Sequence, residues 1–300
     1  MNKLPDVDVL SYISETRKNF EKELENYVND LKCPSLIKDA MLYSLKAGGK
    51  RLRPILMIAT VEAFGIASKR AFAVASALEM IHTYSLIHDD LPAMDDDDMR
   101  RGNPTNHKVF GEANAILAGD ALNTLSFEVI ASITDPKVTA EMKVELIKEL
   151  ARAAGAEGMV GGQVADLQGE GKQLSLEDLE YIHTHKTGKL LVYAVMAGAI
   201  LANASPEDKE NLRKFAEHLG LAFQIQDDIL DIEGDESKIG KPVGSDVQNE
   251  KSTYPKLLTL AGAKDKLQYH VSFAQQYLNK CSADTTQLNN LTEYVMNRDH

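Results

Sequence analysis

Apolar residues recur at intervals of three and four along most of this 300-residue chain. That spacing is the period of an amphipathic α-helix, and no alternating, strand-like pattern runs beyond a few residues. The segment 9–31 shows it clearly, with charged residues between the members of one apolar stripe: Leu10, Ile13, Phe20, Leu24 and Tyr27. The sequence therefore predicts an all-α fold, a bundle of roughly ten or more helices.

Composition favours a single domain that spans residues 1–300. The 44% hydrophobic content suffices for a large core, and no linker rich in proline, glycine or serine interrupts the chain. A net charge of −12 argues against a nucleic-acid surface, which would need a basic face. We therefore predict no nucleic-acid partner.

The number of cysteines and the hydropathy of the chain indicate the cellular compartment of the protein. Cys33 and Cys281 are the only cysteines, make no disulfide framework and fit a reducing compartment. The first residues are too polar for a signal peptide. The most apolar stretch, 190–202, is shorter than the roughly 20 residues that cross a bilayer and is predicted to be a helix buried on all sides. We predict a cytoplasmic protein without a membrane span.

An acidic cluster follows an apolar, helix-like run within residues 81–101, which contain six aspartates. Without counter-charge, so many like charges would raise one another's pKa values or fray the segment. Carboxylate oxygens suit a hard divalent cation such as Mg²⁺. The sequence therefore favours a metal site at the end of this helix.

The spacing within this cluster brings particular side chains together. His82, Ser85 and Asp89 fall on one helical stripe. A straight helix would not bring Asp95 back to Asp89, but a bend at Pro92 could. We therefore expect a turn that returns one carboxylate to the other.

A second acidic cluster occupies residues 224–231. On a helix, Asp227 and Asp231 are one turn apart, and Gln224 and Asp228 lie close to the same face. Large apolar residues surround this polar stripe, which favours the wall of a cavity. A solvated acidic face remains the alternative.

Basic residues stand beside glycine turns or beside the acidic clusters. Lys50 and Arg53 are predicted to share one face at the start of a helix, where the backbone is partly positive and arginine can bind phosphate bidentately. Other positive points are Arg100, Arg101, Lys186, Lys241 and Lys251. The residues predicted to line the space between the clusters are apolar: Tyr84, Leu86, Ile87, Leu117, Leu122, Met159, Val164 and Phe223. A substrate with a metal-binding diphosphate head and a hydrocarbon tail would fit.

Simpler interpretations remain for several of these residues. The aspartates at 96–98 are typical of a hydrated loop, and His88 is typical of a core histidine with its hydrogen bonds satisfied. An isolated Lys-Arg pair is usually a solvated face. These interpretations compete with the site hypothesis at each position.

The motifs together resemble the short-chain trans-prenyl diphosphate synthases, and within them the bacterial farnesyl group, over residues 36–255. The first aspartate-rich motif, Asp-Asp-x4-Asp, is Asp89, Asp90 and Asp95, followed by Arg100-Arg101-Gly102. The second, Asp-Asp-x2-Asp, is Asp227, Asp228 and Asp231. Further matches are Gly49-Lys50-Arg51-x-Arg53-Pro54, Gly162-Gln163-x2-Asp166-Leu167, Lys186-Thr187-Gly188, Gly240-Lys241 and Lys251-x-Thr253-Tyr254-Pro255.

The resemblance implies an isoprenoid synthase fold around a central substrate cavity, and a homodimer. It implies condensation of isopentenyl diphosphate with dimethylallyl diphosphate and then with geranyl diphosphate, to give the C15 farnesyl product. It implies three Mg²⁺ ions, with Mn²⁺ as a substitute, held by Asp89, Asp90, Asp95, Asp227 and Asp231. The implied catalytic residues are Asp89, Asp95, Lys186, Thr187, Gln224 and Asp227. The implied substrate-binding residues are Gly49, Lys50, Arg53, His82, Arg100, Arg101, Lys186, Thr187, Gln224, Lys241 and Lys251.

The resemblance also implies how product length is set. A bulky residue five positions before the first aspartate closes the hydrophobic tunnel, and here that residue is Tyr84, with Ser85 assigned beside it. Tyr84 would stand about 7.5 Å from Asp89 along the helix axis. The loop at 234–244 is predicted to be a lid, and the tail at 297–300 to fold over the site.

Four alternatives stay open at this point. One is a geranylgeranyl or geranyl diphosphate synthase of the same family. A terpene cyclase would have no use for Lys50, Arg53 and His82. A regulatory subunit usually lacks one aspartate motif, whereas both are intact here. A calcium-binding structural protein would carry ligands at alternating positions around a glycine, which neither cluster shows.

Overall fold

The computed structural model describes residues 7–233 and 252–297. Helices account for nearly all of the regular structure in these two ranges. In chain order they are α1 (Val7–Asn29), α2 (Ser35–Lys46), α3 (Leu52–Ala63), α4 (Lys69–Asp89), α5 (Asn106–Phe110), α6 (Glu112–Ala131), α7 (Ala140–Ala154), α8 (Met159–Gly169), α9 (Leu176–Ile182), a π-helix (His183–Gly188), α10 (Lys189–Leu201), α11 (Pro206–Glu233), α12 (Tyr254–Leu278) and α13 (Thr286–Asn297). The predicted all-α fold class is confirmed.

Helix α10 forms the centre of the bundle. From Leu190 to Leu201 every residue except the half-buried Val192 is buried, so the prediction of a helix enclosed on all sides is confirmed. It packs against α3, α4, α7 and α11. Because these neighbours cover its whole circumference, they are held in fixed positions around it.

Two long helices carry the acidic clusters. Helix α4 is almost wholly buried along its first two-thirds, packs on α6 and α3, and ends at Asp89. Helix α11 packs on α10, the π-helix and α12. Both helices thus present their carboxylates from rigid positions rather than from loops.

A short hairpin follows the first cluster. Strand β1 (Met99–Arg100) pairs antiparallel with β2 (Asn103–Pro104). The two residues between the strands, Arg101 and Gly102, both have positive φ, at 54° and 77°. A two-residue turn of this kind matches the twist of the strands, so the hairpin holds the two basic residues at a fixed distance from α4.

Some elements differ from the sequence prediction. The apolar periodicity of the sequence does not indicate helices α5, α8 and α13 or the π-helix, and it predicts the start of α12 at 267, whereas the helix begins at Tyr254. Helix α12 is interrupted at Thr259, whose φ of 68° and ψ of 161° are not helical. Within the described part of the chain, no helix is long and apolar enough to cross a membrane.

Candidate active site

The chain turns back on itself directly after α4. Asp89 is the last residue of the helix, and the backbone N–H of Asp95 donates a hydrogen bond to the Asp89 carbonyl at 2.9 Å. The intervening residues form a tight turn that contains Pro92. The predicted bend is therefore present, and Asp89 and Asp95 lie next to each other.

The carboxylates of this turn have different environments. Asp90 is 3% exposed and accepts a hydrogen bond from Arg100 Nε at 2.6 Å. Burial raises the pKa of Asp89 to about 6; the Lys186 ammonium opposes this shift, and Asp95 adds to it. Asp89 is thus a half-buried carboxylate beside other carboxylates, close to one lysine of the π-helix.

The outer aspartates behave as the hydrated-loop interpretation predicted. Asp98 is exposed and pairs with Lys108 at 2.6 Å. Asp97 lies 3.5 Å from Arg100, and Asp96 is exposed. These residues face solvent at the edge of the turn.

Arg51 organises the basic segment that precedes α3. It occupies the N-cap in a left-handed conformation, with φ 48°, and its guanidinium turns inward to Glu79 at 2.5 Å and to Glu21 at 3.0 Å. The helix begins at Leu52, so Lys50 lies outside it. The expectation that Lys50 and Arg53 share a helical face therefore fails, because the left-handed residue separates them.

Arg53 and His82 bring α3 and α4 together. Arg53 Nη1 lies 3.5 Å from His82 Nε2. Burial and the charges of Arg53 and Arg101 hold the pKa of His82 well below its usual range, so the imidazole is neutral. Burial lowers the pKa of the Arg53 guanidinium, whereas the charges of Glu79 and Asp227 raise it. The basic segment is therefore within electrostatic reach of the second acidic cluster.

Arg101 reaches the glycine loop from fifty residues away. Its guanidinium donates to the carbonyl of Gly48. Gly49 has φ 127°, and a Cβ at this position would lie 2.7 Å from the Arg101 guanidinium. Only glycine leaves room for this contact, so the loop and the hairpin form one basic surface.

The π-helix supplies Lys186 and Thr187. Lys186 Nζ pairs with Asp166 Oδ2 of α8 at 2.5 Å. Helix α8 can approach the π-helix this closely because Gly162 has no side chain. A Cβ at this position would lie 2.1 Å from the Lys186 backbone nitrogen. Single π-turns are rare and are often found at functional sites.

Helix α11 presents the second cluster towards the π-helix and α12. Asp228 is buried and accepts a hydrogen bond from the Tyr254 backbone N–H at 2.8 Å. Gln224 Nε2 lies 3.2 Å from His183 Nδ1. Asp227 and Asp231 are half-buried on the same helix. The acidic stripe is therefore partly enclosed rather than fully solvated.

Tyr84 and Ser85 lie on α4, one turn before the aspartates. The Tyr84 ring packs edge-on against His88 with centroids 5.7 Å apart, and burial raises its pKa. Ser85 Oγ donates to the His82 carbonyl at 2.9 Å. His88 Nε2 lies 3.1 Å from the Ile116 carbonyl, which fits the interpretation of His88 as a satisfied histidine.

The apolar residues predicted between the clusters differ in burial, and Tyr84, Leu86 and Phe223 are half-buried. Leu122, Ile87 and Met159 are buried. Leu117 and Val164 are about half exposed, at 54% and 49%, and do not line an enclosed channel within one chain. Only part of the predicted wall is therefore internal.

Two predicted substrate residues, Lys241 and Lys251, lie outside the described residues. So do the predicted lid at 234–244 and residues 298–300 of the tail.

The donor set suits Mg²⁺ shared with a substrate. Among residues 7–233 and 252–297, no three carboxylate, histidine or cysteine side chains are close enough to hold a metal by themselves. Mg²⁺ is usually bound by one or two carboxylates together with substrate phosphates, and not by an all-protein cage. The half-buried Asp89 would gain from such a cation, because partial burial and the neighbouring carboxylates both disfavour its charge. The residues present therefore fit the ion.

Sequence reasoning missed three residues of this region. Glu79 is buried opposite Arg51 and has no motif to mark it. Asp166 was recognised only as part of a motif, without its pairing to Lys186. His183 had no signal beyond its position three residues before Lys186.

Comparison with known proteins agrees with this geometry. The sequence profile of the polyprenyl synthetase family matches residues 34–295. The chain belongs to the polyprenyl synthetase family.

Individual members of this polyprenyl synthetase family match nearly the whole chain. The farnesyl diphosphate synthase of Geobacillus stearothermophilus is 55% identical over 297 residues, which cover 99% of this chain and 100% of that protein. The farnesyl diphosphate synthase of Bacillus subtilis (strain 168) is also 55% identical, over 97% of this chain and 98% of the relative. The crystal structure of a geranyltransferase from Legionella pneumophila superposes with a TM-score of 0.85 at 35% identity and covers 97% of each chain. The resemblance predicted from the motifs is confirmed.

Proposed function

We propose that this chain is a farnesyl diphosphate synthase. It condenses isopentenyl diphosphate with dimethylallyl diphosphate and then with geranyl diphosphate, and releases the C15 diphosphate. The observation that carries this proposal is that the carboxylates lie close to basic side chains: Asp89 interacts with Lys186, and Arg53 lies within electrostatic reach of Asp227. His82 lies 3.5 Å from Arg53. The identity to farnesyl diphosphate synthases over nearly the full length supports it.

The allylic diphosphate binds between the two acidic clusters. Asp89, Asp95 and Asp227, with Asp90 and Asp231 beside them, would hold Mg²⁺, three ions when the site is full. Bound Mg²⁺ supplies positive charge to the departing diphosphate. A cytoplasmic compartment provides this ion, and Mn²⁺ has the same preference for oxygen ligands.

Basic side chains complete the neutralisation of the leaving group. Lys186 faces the site from the π-helix, and Arg100 from the hairpin, where each is already positioned by a carboxylate, Asp166 and Asp90 respectively. Lys241 and Lys251 would add to them. Cations held in fixed positions stabilise developing negative charge more effectively than mobile ones, because no reorganisation is needed during the reaction.

Isopentenyl diphosphate binds to the basic surface formed by the glycine loop and the hairpin. Its residues are Gly49, Lys50, Arg53, His82 and Arg101. The neutral His82 can donate one hydrogen bond to a phosphate oxygen while accepting from Arg53. The two diphosphates would then lie on opposite sides of one cavity.

The reaction proceeds by loss of diphosphate from the allylic substrate. The C–O bond breaks and leaves an allylic cation, which Thr187 and Gln224 stabilise with oxygen dipoles. The double bond of isopentenyl diphosphate then forms the new C–C bond, and a proton leaves to the released diphosphate. The released diphosphate is the base, because no side chain among the described residues near the site is an evident alternative.

Tyr84 limits the length of the product. Its ring is held against His88, one turn before Asp89, so it can close the tunnel beneath the allylic diphosphate. Ser85 fixes the neighbouring backbone through the His82 carbonyl. This position favours the C15 product over a C20 one.

We also infer that two copies of the chain associate. Four aliphatic side chains of α6 and α8 are between 43% and 54% exposed: Ile116, Leu117, Val160 and Val164. Groups of exposed apolar side chains on the surface of a helix are typical of an interface. Light scattering coupled to gel filtration should give twice the 33.0 kDa of one chain, and a monomer would contradict this inference.

The deciding experiment measures the product directly. Purified protein is incubated with labelled isopentenyl diphosphate and dimethylallyl diphosphate, with Mg²⁺ or with EDTA, and the alcohols are separated after dephosphorylation. We expect farnesol with Mg²⁺ and no product with EDTA. The proposal is wrong if Asp89→Asn or Asp227→Asn retains wild-type turnover, or if the main product is C10 or C20.

A further inference from the structure

His183 joins the π-helix to α11. The residue begins the π-helix, and its side chain is only 12% exposed. Its Nδ1 lies 3.2 Å from Gln224 Nε2, and its Nε2 lies 3.7 Å from Asp228 Oδ2. One face of the ring stacks on Tyr254, with centroids 5.6 Å apart and planes 11° apart. The imidazole therefore lies between two side chains of the second acidic cluster.

The direction of each hydrogen bond follows from the groups involved. An amide nitrogen can only donate, so His183 Nδ1 must accept from Gln224. The neutral ring then carries its proton on Nε2, which faces the Asp228 carboxylate. Asp228 is itself fixed, because its Oδ2 accepts from the Tyr254 backbone N–H at 2.8 Å. The Asp228 carboxylate, 3.7 Å from Nε2, favours the tautomer that carries its proton on Nε2, and Nδ1 of that tautomer accepts from Gln224.

The orientation of the Gln224 amide matters because its two ends carry opposite partial charges. Rotation by 180° about the last bond exchanges oxygen for NH₂ with almost no change of shape. The oxygen end attracts a cation, whereas the NH₂ end repels it. A partner that accepts from the nitrogen therefore selects one of two otherwise similar rotamers.

We propose that His183 is a positioning residue that holds the Gln224 amide with its oxygen towards the allylic cation. This inference rests on the proposed function and deepens it. His183 itself does not touch the substrate; it acts through Gln224. Without an acceptor at Nδ1, the amide would populate the flipped rotamer, and the cation would lose a stabilising dipole in the transition state. The expected consequence is a lower kcat with little change in the KM of the allylic substrate.

Variants at this position separate hydrogen bonding from packing. His183→Phe keeps an aromatic ring to stack on Tyr254 but has no acceptor. His183→Asn loses the ring, while its Oδ1 can occupy the place of Nδ1 and accept from Gln224. We expect kcat to fall about ten- to a hundredfold in His183→Phe, the range typical of residues that orient a functional group through a hydrogen bond. His183→Asn should recover most of that loss.

A double-mutant cycle with Gln224→Ala tests whether His183 acts through Gln224. In the Gln224→Ala background, His183→Phe should cause no further fall in kcat, since the group that it positions is gone. Equal losses in both backgrounds would overturn the inference. So would a kcat for His183→Asn as low as that for His183→Phe.

A matched control lies two residues along the same π-helix. His185 stacks on Tyr181 at 3.9 Å and bonds to the Tyr181 carbonyl, within its own segment. His185→Phe should therefore keep kcat within about threefold of wild type. Should His183→Phe fail to fold by circular dichroism, His183→Leu replaces it in the cycle as the variant without an acceptor. If the wild-type protein makes no prenyl product, the proposed function itself has failed; an active wild type with an additive cycle refutes only the role of His183.

Discussion

The buried ion pair between Arg51 and Glu79 should be a major contributor to the stability of this fold. Both side chains are at most 3% exposed, and the pair is 2.5 Å long. Glu79→Gln preserves the shape and removes the charge. Two unit charges about 4 Å apart interact by about 4 kcal/mol at an effective dielectric constant near 20. Removing one partner of a buried pair typically costs about 3–5 kcal/mol.

The second partner of Arg51 moderates this cost. Glu21 remains 3.0 Å from Arg51 Nε, so the arginine keeps one carboxylate. We therefore expect the free energy of unfolding to fall by about 3 kcal/mol, near the lower end of that range. In a chain of this size, 1 kcal/mol corresponds to roughly 2–4 °C, so a loss of about 3 kcal/mol predicts a decrease in Tm of roughly 6–12 °C.

Thermal unfolding followed by circular dichroism measures the effect, with Glu25→Gln as the matched control. Glu25 pairs with Lys46 at 3.1 Å, but this pair is exposed to solvent and should contribute less than about 1 kcal/mol. Since Arg51 caps α3 next to Arg53, the KM for isopentenyl diphosphate should also rise in Glu79→Gln. Equal Tm values for the two variants would refute the reasoning.

Three further predictions concern the tunnel, the π-helix and pH. Tyr84→Ala should lengthen the product beyond C15 in a chromatographic assay. Products that still stop at C15 would contradict the proposal that Tyr84 closes the tunnel. Gly162→Ala should lower kcat at least about tenfold, because the new methyl group must displace the Lys186 backbone by an appreciable fraction of an ångström; unchanged kinetics would show that α8 adapts freely. Burial, and then the nearby His218, lower the pKa of His270 to about 4. Below about pH 6.5 the unfolded state therefore binds a proton that the folded state does not. The free energy of unfolding thus decreases as the pH is lowered, by about 2 kcal/mol at pH 5. Urea unfolding at pH 7 and pH 5 should show this loss in wild type and a smaller one in His270→Asn; identical losses would contradict it.

The long helices could be predicted because their apolar periodicity agrees with their final burial. Helix α10 is the clearest case, since a continuous apolar run of that length has few ways to be buried. Helix α8 was missed because Met159–Gly169 contains three glycines, and packing on the π-helix, α9 and α7 stabilises it. The π-helix has no pattern of its own, because its hydrogen-bond register depends on the helices that flank it.

The candidate site shows the same division between local and tertiary information. Asp89 and Asp95 could be placed together because Pro92 is a local signal for a turn. The position of Lys50 was predicted incorrectly, because the bonds from Arg51 to Glu79 and Glu21 favour a left-handed N-cap that no local pattern indicates. His183 could not be found, since its role depends on Gln224, forty-one residues away in the chain. The residue types of the candidate site could be predicted from the sequence, whereas the contacts between distant segments could be identified only from the folded structure.

The π-helix has a consequence for how this enzyme could evolve or be redesigned. Each residue of an α-helix rotates by about 100° about the helix axis and rises by about 1.5 Å along it. The wider turn at His183–Gly188 therefore points the side chains of Lys186 and Thr187 in different directions from those they would have on a continuous α-helix. Deleting a single residue there would restore regular α-helical hydrogen bonding from α9 into α10. The same deletion would move Lys186 away from Asp166 and Asp89. Selection for a more regular, more stable helix therefore opposes selection for turnover at this point, and the irregular turn persists only while catalysis is required.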